Sequence, residues 1–110
     1  MTTASTRALI KAHAYGNDFL LAPVTRLDDV SDAAAWARAT CDRHRGIGAD
    51  GLMLVESTDA GANTRLFNAD GSRSEVSGNG VRCVAAWLAQ SRGLSGGETL
   101  QIETGAGAKR

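Results

Sequence analysis

The sequence predicts an α+β domain whose sheet wraps around its second helix. Three observations carry this: short apolar runs broken by Gly/Asn/Asp turns, one segment with a clean helical stripe, and a glycine-spaced entry into that stripe. The chain has 110 residues, at most one domain, with 43% hydrophobic residues and a formal charge of zero. That size leaves room for a real core but little margin of stability. No basic run interleaved with aromatics suggests nucleic acid, and no apolar stretch reaches the length of a membrane span. The segment Met1 to Arg7 lacks the apolar centre of a signal peptide, so the expected setting is the cytoplasm. Two cysteines, Cys41 and Cys83, are too few for a disulfide framework.

In chain order, Ala8 to Ala14 and Phe19 to Val24 read as strands joined by a turn at Tyr15-Gly16-Asn17-Asp18. Pro23 belongs at the end or edge of the second strand, because it cannot donate to a ladder. A polar connector, Leu27 to Ser31, leads to a helix capped by Ser31 or Asp32 and running to about Asp42, since Ala33 to Ala39 is rich in helix formers. Glycines then break it, and Leu52-Met53-Leu54-Val55 reads as a buried strand. Asp59 to Asn63 reads as a turn and Thr64 to Phe67 as the next strand. The second helix spans about Asn79 to Arg92, with Val81, Val84, Ala85, Leu88 and Ala89 on one stripe and Gly93 as its stop. After a loop from Gly93 to Gly97, Leu100 and Ile102 alternate with polar residues as a short strand. The tail from Gly105 to Ala108 offers no closing element. The total is about five or six strands and two helices.

Most chemical motifs fail on context. Gly46-Ile47-Gly48-Ala49-Asp50-Gly51 imitates a dinucleotide fingerprint, but it follows a helix and precedes a strand, the reverse of what that motif needs. No Gly-Lys-Ser/Thr phosphate loop occurs. His13 and His44 lack ligand-spaced partners, so no metal is expected. Both cysteines sit among small apolar residues and read as inert packing.

The segment from Leu66 to Cys83 is different. A strand ends at Asn68, a turn follows, and Ser77-Gly78-Asn79-Gly80 opens the second helix. A helix start presents unpaired N–H groups and a positive dipole end, which suits a carboxylate or phosphate. From spacing alone two readings stand. Asn68 and Asp70 only build a turn while Ser77 or Asn79 only caps the helix, or these groups converge on an anionic ligand.

Four segments in register, Gly16-Asn17-Asp18-Phe19, Asp42-Arg43-His44 with Gly46 to Gly51, Phe67 to Ser72, and Gly78 to Cys83, closely resemble the N-terminal half of diaminopimelate epimerase. The resemblance runs from about Ile10 to Thr104. It implies a mixed sheet around a central helix, incomplete without a second, similar domain. It also implies cofactor-independent interconversion of LL- and meso-diaminopimelate, in lysine and peptidoglycan-precursor biosynthesis, by two cysteines acting on opposite faces of the α-carbon. By family position Asn17 and Asn68 hold polar groups of the substrate, while Gly78 and Asn79 bind its carboxylate end. A homodimer of the full-length protein is a further implication, without support in this sequence.

Two departures matter. Where the family places its first catalytic cysteine this chain has Ser77, and where it often has a glutamine the chain has Gly51. A hydroxyl is a poor base, and Cys83 lies roughly 9 Å further along the helix and about 120° around it, too far to substitute. The 110-residue chain is therefore expected to be inactive alone. Two alternatives remain: a homologue with one-base, elimination-type chemistry, or a non-catalytic amino-acid-binding domain.

Overall fold

Leu20-Leu21-Ala22 and Leu52-Met53-Leu54-Val55 are apolar without alternation because both faces of their sheet are covered. In the computed structural model, residues 9–14, 16–76, 78–93, 100–104 and 107–108 are described. The strands are β1 (Ile10–Ala14), β2 (Asn17–Val24), β3 (Gly51–Ser57), β4 (Gly61–Asn68), β5 (Arg73–Ser74), β6 (Gln101–Thr104) and β7 (Gly107–Ala108). The helices are α1 (Ala33–Cys41) and α2 (Gly78–Arg92). Sheet order is β1-β2-β3-β4-β6-β7, with β5 also on β4. The β2–β3 and β4–β6 pairs are parallel and the others antiparallel, so the sheet is mixed.

One face packs Phe19, Leu21, Met53, Val55, Leu66 and Ile102 against Cys83, Val84 and Leu88 of α2. The opposite face packs Leu20, Ala22, Leu52, Leu54 and Phe67 against Ala33, Ala37 and Cys41 of α1. The α2 helix touches β1 and β2 toward one side of the sheet and β6 toward the other, which is the wrap the sequence predicts. Its buried row is Gly80, Cys83, Val84 and Leu88, while Val81, Ala85 and Ala89 are half-buried. The stripe is thus turned by about one position from expectation.

Several boundaries differ from the sequence reading. The first hairpin is tighter: Ala14 pairs with Asn17, so Asn17 and Asp18 are strand residues rather than turn residues. The Asp59–Asn63 turn shrinks to Thr58–Gly61, where Thr58 and Gly61 exchange backbone hydrogen bonds of 2.9 and 3.3 Å. Asn63 instead lies in β4 and donates to Glu56 across the ladder at 2.7 Å. Pro23 is the next-to-last residue of β2; it pairs alongside Val55 and lies beyond Leu21, the last β2 residue with a β1 partner among the described residues. Asp32 is the N-cap of α1 but makes no side-chain capping bond. The tail does close: Gly107 and Ala108 pair with Thr104 and Glu103. The loop residues 94–99 and the tail residues 105–106 lie outside the described residues. Among the described residues, no helix is long and apolar enough to cross a membrane.

Candidate active site

Because β2 and β3 run parallel and β4 runs back, the start of β2, the start of β3 and the end of β4 lie at one end of the sheet. Asn17 and Asn68 are both there, although 51 residues separate them in sequence: Phe19 pairs with Gly51, and Gly51 with Asn68. The first turn of α2 arrives at the same end. Asn79 donates its side-chain amide to Asn17 Oδ1 at 2.9 Å, across 62 residues of sequence. Two residues that the resemblance assigns to substrate are therefore joined directly. The first-turn N–H groups of a helix have no acceptor within the helix, and a side chain added at Gly78 would meet nothing within 4 Å. Among the described residues, the space that a side chain at Gly78 would fill is open.

Asn68 is held in a turn. Its N–H donates to Ser72 O at 2.8 Å, and the Gly71 N–H returns a bond to Asn68 O at 2.9 Å. Its side-chain amide donates to Ser72 Oγ at 3.0 Å. Asn68 thus builds the turn, and it is exposed at the site end of β4. Ser77, which precedes α2 in sequence, lies outside the described residues.

A charged cluster that the sequence reading did not assemble sits at the same end. Parallel pairing sets Asp18 beside Asp50: the Asp18 N–H donates to Asp50 Oδ2 at 2.8 Å, and the Asp50 N–H to Asp18 O at 2.9 Å. Two adjacent carboxylates need a cation. Arg43 supplies it, 3.5 Å from Asp18 and 3.1 Å from Asp50. His13 Nδ1 lies 2.5 Å from Asp18 Oδ1. This hydrogen bond, ahead of the nearby positive charges, holds the Asp18 carboxyl below its ordinary range. Asp18, Arg43 and Asp50 all lie in the segments that resemble the family, but only the β2–β3 register brings them together.

The Gly46–Gly51 segment is spent on structure. N–H groups of Ile47 and Gly48 donate to Thr40 O, and that of Ala49 to Cys41 O, closing the C-terminus of α1. Asp42 Oδ1 accepts from the His44 and Arg45 N–H groups at 2.8 and 3.1 Å, which lowers the Asp42 pKa. Cys41 and Cys83 are buried on opposite faces, and burial pushes both thiols up. Neither can act as a ready thiolate. Among the described residues no group of three or more His, Cys, Asp or Glu could hold a metal ion.

The family model described as Diaminopimelate epimerase matches residues 9–110. The chain belongs to the diaminopimelate epimerase family. Diaminopimelate epimerase of Moorella thermoacetica is 46% identical over 99 residues, covering 89% of this chain and 35% of that protein. The Acidiphilium cryptum protein of the same name is 45% identical over 105 residues, 94% of this chain and 36% of its own. The chain therefore spans about a third of the length of these relatives. A solved structure of a PhzF-family phenazine biosynthesis protein from Enterococcus faecalis shares the fold, with a TM-score of 0.59 at 12% identity, over 94% of this chain and 40% of that one.

Proposed function

We propose that this chain is the N-terminal, substrate-binding half of a cytoplasmic enzyme that interconverts LL- and meso-diaminopimelate by proton transfer at the α-carbon, without a cofactor, for lysine and peptidoglycan-precursor biosynthesis. The observation that carries the reading is the Asn17–Asn79 hydrogen bond, which docks the start of α2 against the start of β2. A carboxylate before α2 would meet first-turn N–H groups and the positive end of the helix dipole. That charge, already in place, also stabilises the carbanion that forms when the α-proton leaves. Gly78 admits the carboxylate closely, Asn79 and Asn17 flank it, and Asn68 takes another polar group. Ser77 occupies the position of the proton-transferring cysteine. Its hydroxyl stays protonated at physiological pH, so it can give a proton far more readily than it can take one. Cys83 is buried against the sheet with its thiol pushed up, and does not replace it.

The test has two arms. The 110-residue chain in deuterated solvent with LL-diaminopimelate should exchange the α-proton slowly, because loss of one acid/base group costs about 10²–10⁴-fold. In the full-length protein, Ser77→Cys should restore two-way epimerisation while diaminopimelate binding stays the same. Equal epimerase rates for the two, or a serine protein that binds no diaminopimelate, would overturn the assignment.

A further inference from the structure

The turn after β4 fixes which end of the Asn68 amide is available. Ser72 donates twice to Asp70 Oδ1, from its N–H at 2.9 Å and from its hydroxyl at 2.6 Å. A carboxylate only accepts, so the single hydroxyl proton of Ser72 is committed to Asp70. What Ser72 Oγ offers Asn68, 3.0 Å away, is a lone pair. Asn68 must meet it with its NH₂ group, whichever way the amide would otherwise be turned. Its carbonyl oxygen, turned away from Ser72 on an exposed residue, has no hydrogen bond among the described residues, and beside it only the second N–H of the amide is left to donate. The Asn17–Asn79 pair carries no such constraint, because two amides can exchange donor and acceptor without loss.

We propose that Asp70 and Ser72 are positioning residues that lock the orientation of Asn68, so that its carbonyl oxygen is presented as an acceptor for a protonated amine of the ligand. This rests on the reading of the site as one for diaminopimelate. A purely structural role for Ser72 would stabilise the turn and leave amide polarity and amine selectivity untouched.

The lock is read without ligand from the side-chain amide signal of Asn68 by NMR, assigned by its loss in Asn68→Ala. Ser72→Ala should shift that signal and Ser72→Thr should return it, with the Gly71 amide as the control that the turn persists. In the wild-type chain the same signal should move as Asp70 is titrated with acid. A protonated Asp70 can donate to Ser72 and release its hydroxyl, whereas the two Ser72 bonds, with a smaller contribution from Arg38 of α1, favour the ionised form. This titration decides the matter even if Ser72→Ala fails to fold. A signal unmoved by both acid and Ser72→Ala would overturn the lock. The second readout is affinity for LL-diaminopimelate against 2-aminopimelate, which lacks one amine. Ser72→Ala should cut the preference about tenfold, as expected for one lost hydrogen bond to a charged group, and Ser72→Thr should recover it. An unchanged preference overturns the selectivity role. Failure of the full-length protein to bind either compound overturns the diaminopimelate reading, while the amide signal of the 110-residue chain still judges the lock.

Discussion

Residues 46–51 and 78–80 are two glycine-rich segments of this chain, and they do opposite things. The first closes the C-terminus of α1, and its N–H groups from Gly46 to Asp50 all donate to backbone oxygens. The second opens α2 beside a cross-linked asparagine pair, with free space in front of Gly78. The difference lies in the end of the helix each one meets. Carbonyls at a C-terminus consume the loop's donors, whereas an N-terminus adds donors that have no partner in the helix. Glycine serves close packing within the chain in the first case, and in the second it stands where an added side chain would meet nothing within 4 Å among the described residues. Substitutions should separate these two uses.

The largest effect belongs to the closed segment. A side chain at Gly46 would stand 2.2 Å from Ala39 O and 2.7 Å from Thr40 O, both backbone atoms that cannot swing away. Gly46→Ala should cost about 2–3 kcal/mol, or roughly 10–20 °C in Tm for a domain of this size. Thermal unfolding followed by circular dichroism measures it, and a shift of only a degree or two would mean that the loop is not held against α1 in solution.

The next effect is electrostatic. Asp18 has a folded pKa below its unfolded value, so its contribution to stability is complete above about pH 3.9 and is lost as pH falls through the folded value. Asp42 and Asp70 follow the same sign. The wild-type chain should therefore lose stability as pH drops below about 4. Arg43→Met leaves Asp18 and Asp50 facing each other without their cation, so the variant should melt below wild type at pH 7. That deficit should shrink as pH falls through the lowered value of Asp18 and its carboxyl takes up a proton. A deficit independent of pH would show that Arg43 acts through its stem, packed close to Gly48, rather than through its charge.

Legibility in the sequence follows the same division between local and assembled features. The extent of α2 and the buried character of β2 and β3 are local, because composition and period state them directly. The start of β4 was hidden: Gly61 and Asn63 are turn residues by type, yet β3 on one side and β6 on the other hold them in a strand. β5 and β7 are two residues each, too short for any period to register. At the site, Asn17 and Asn79 could be grouped only through the family resemblance, since no local rule links residues 62 apart. The Asp18–Asp50 pair needed the strand register itself. The polarity of Asn68 follows from Asp70 and Ser72, which lie close by in sequence, but only the observed hydrogen bonds reveal which group donates.

The smallest effect on stability is expected at the open segment, where it carries the most functional information. Gly78→Ala adds a methyl group that meets nothing within 4 Å, at a residue inside the helix boundary, where alanine is the better helix former. Stability should stay within about 0.5 kcal/mol of wild type. If a substrate carboxylate docks on the first turn of α2, the same methyl group stands where the ligand must come closest, and diaminopimelate affinity should fall about tenfold or more, the equivalent of one weakened charge-assisted hydrogen bond. Calorimetric titration of the chain and its variant, each checked for an unchanged melt, provides the comparison. Equal affinities would mean that the ligand does not approach α2 at Gly78, and the two glycine-rich segments would then differ in packing alone.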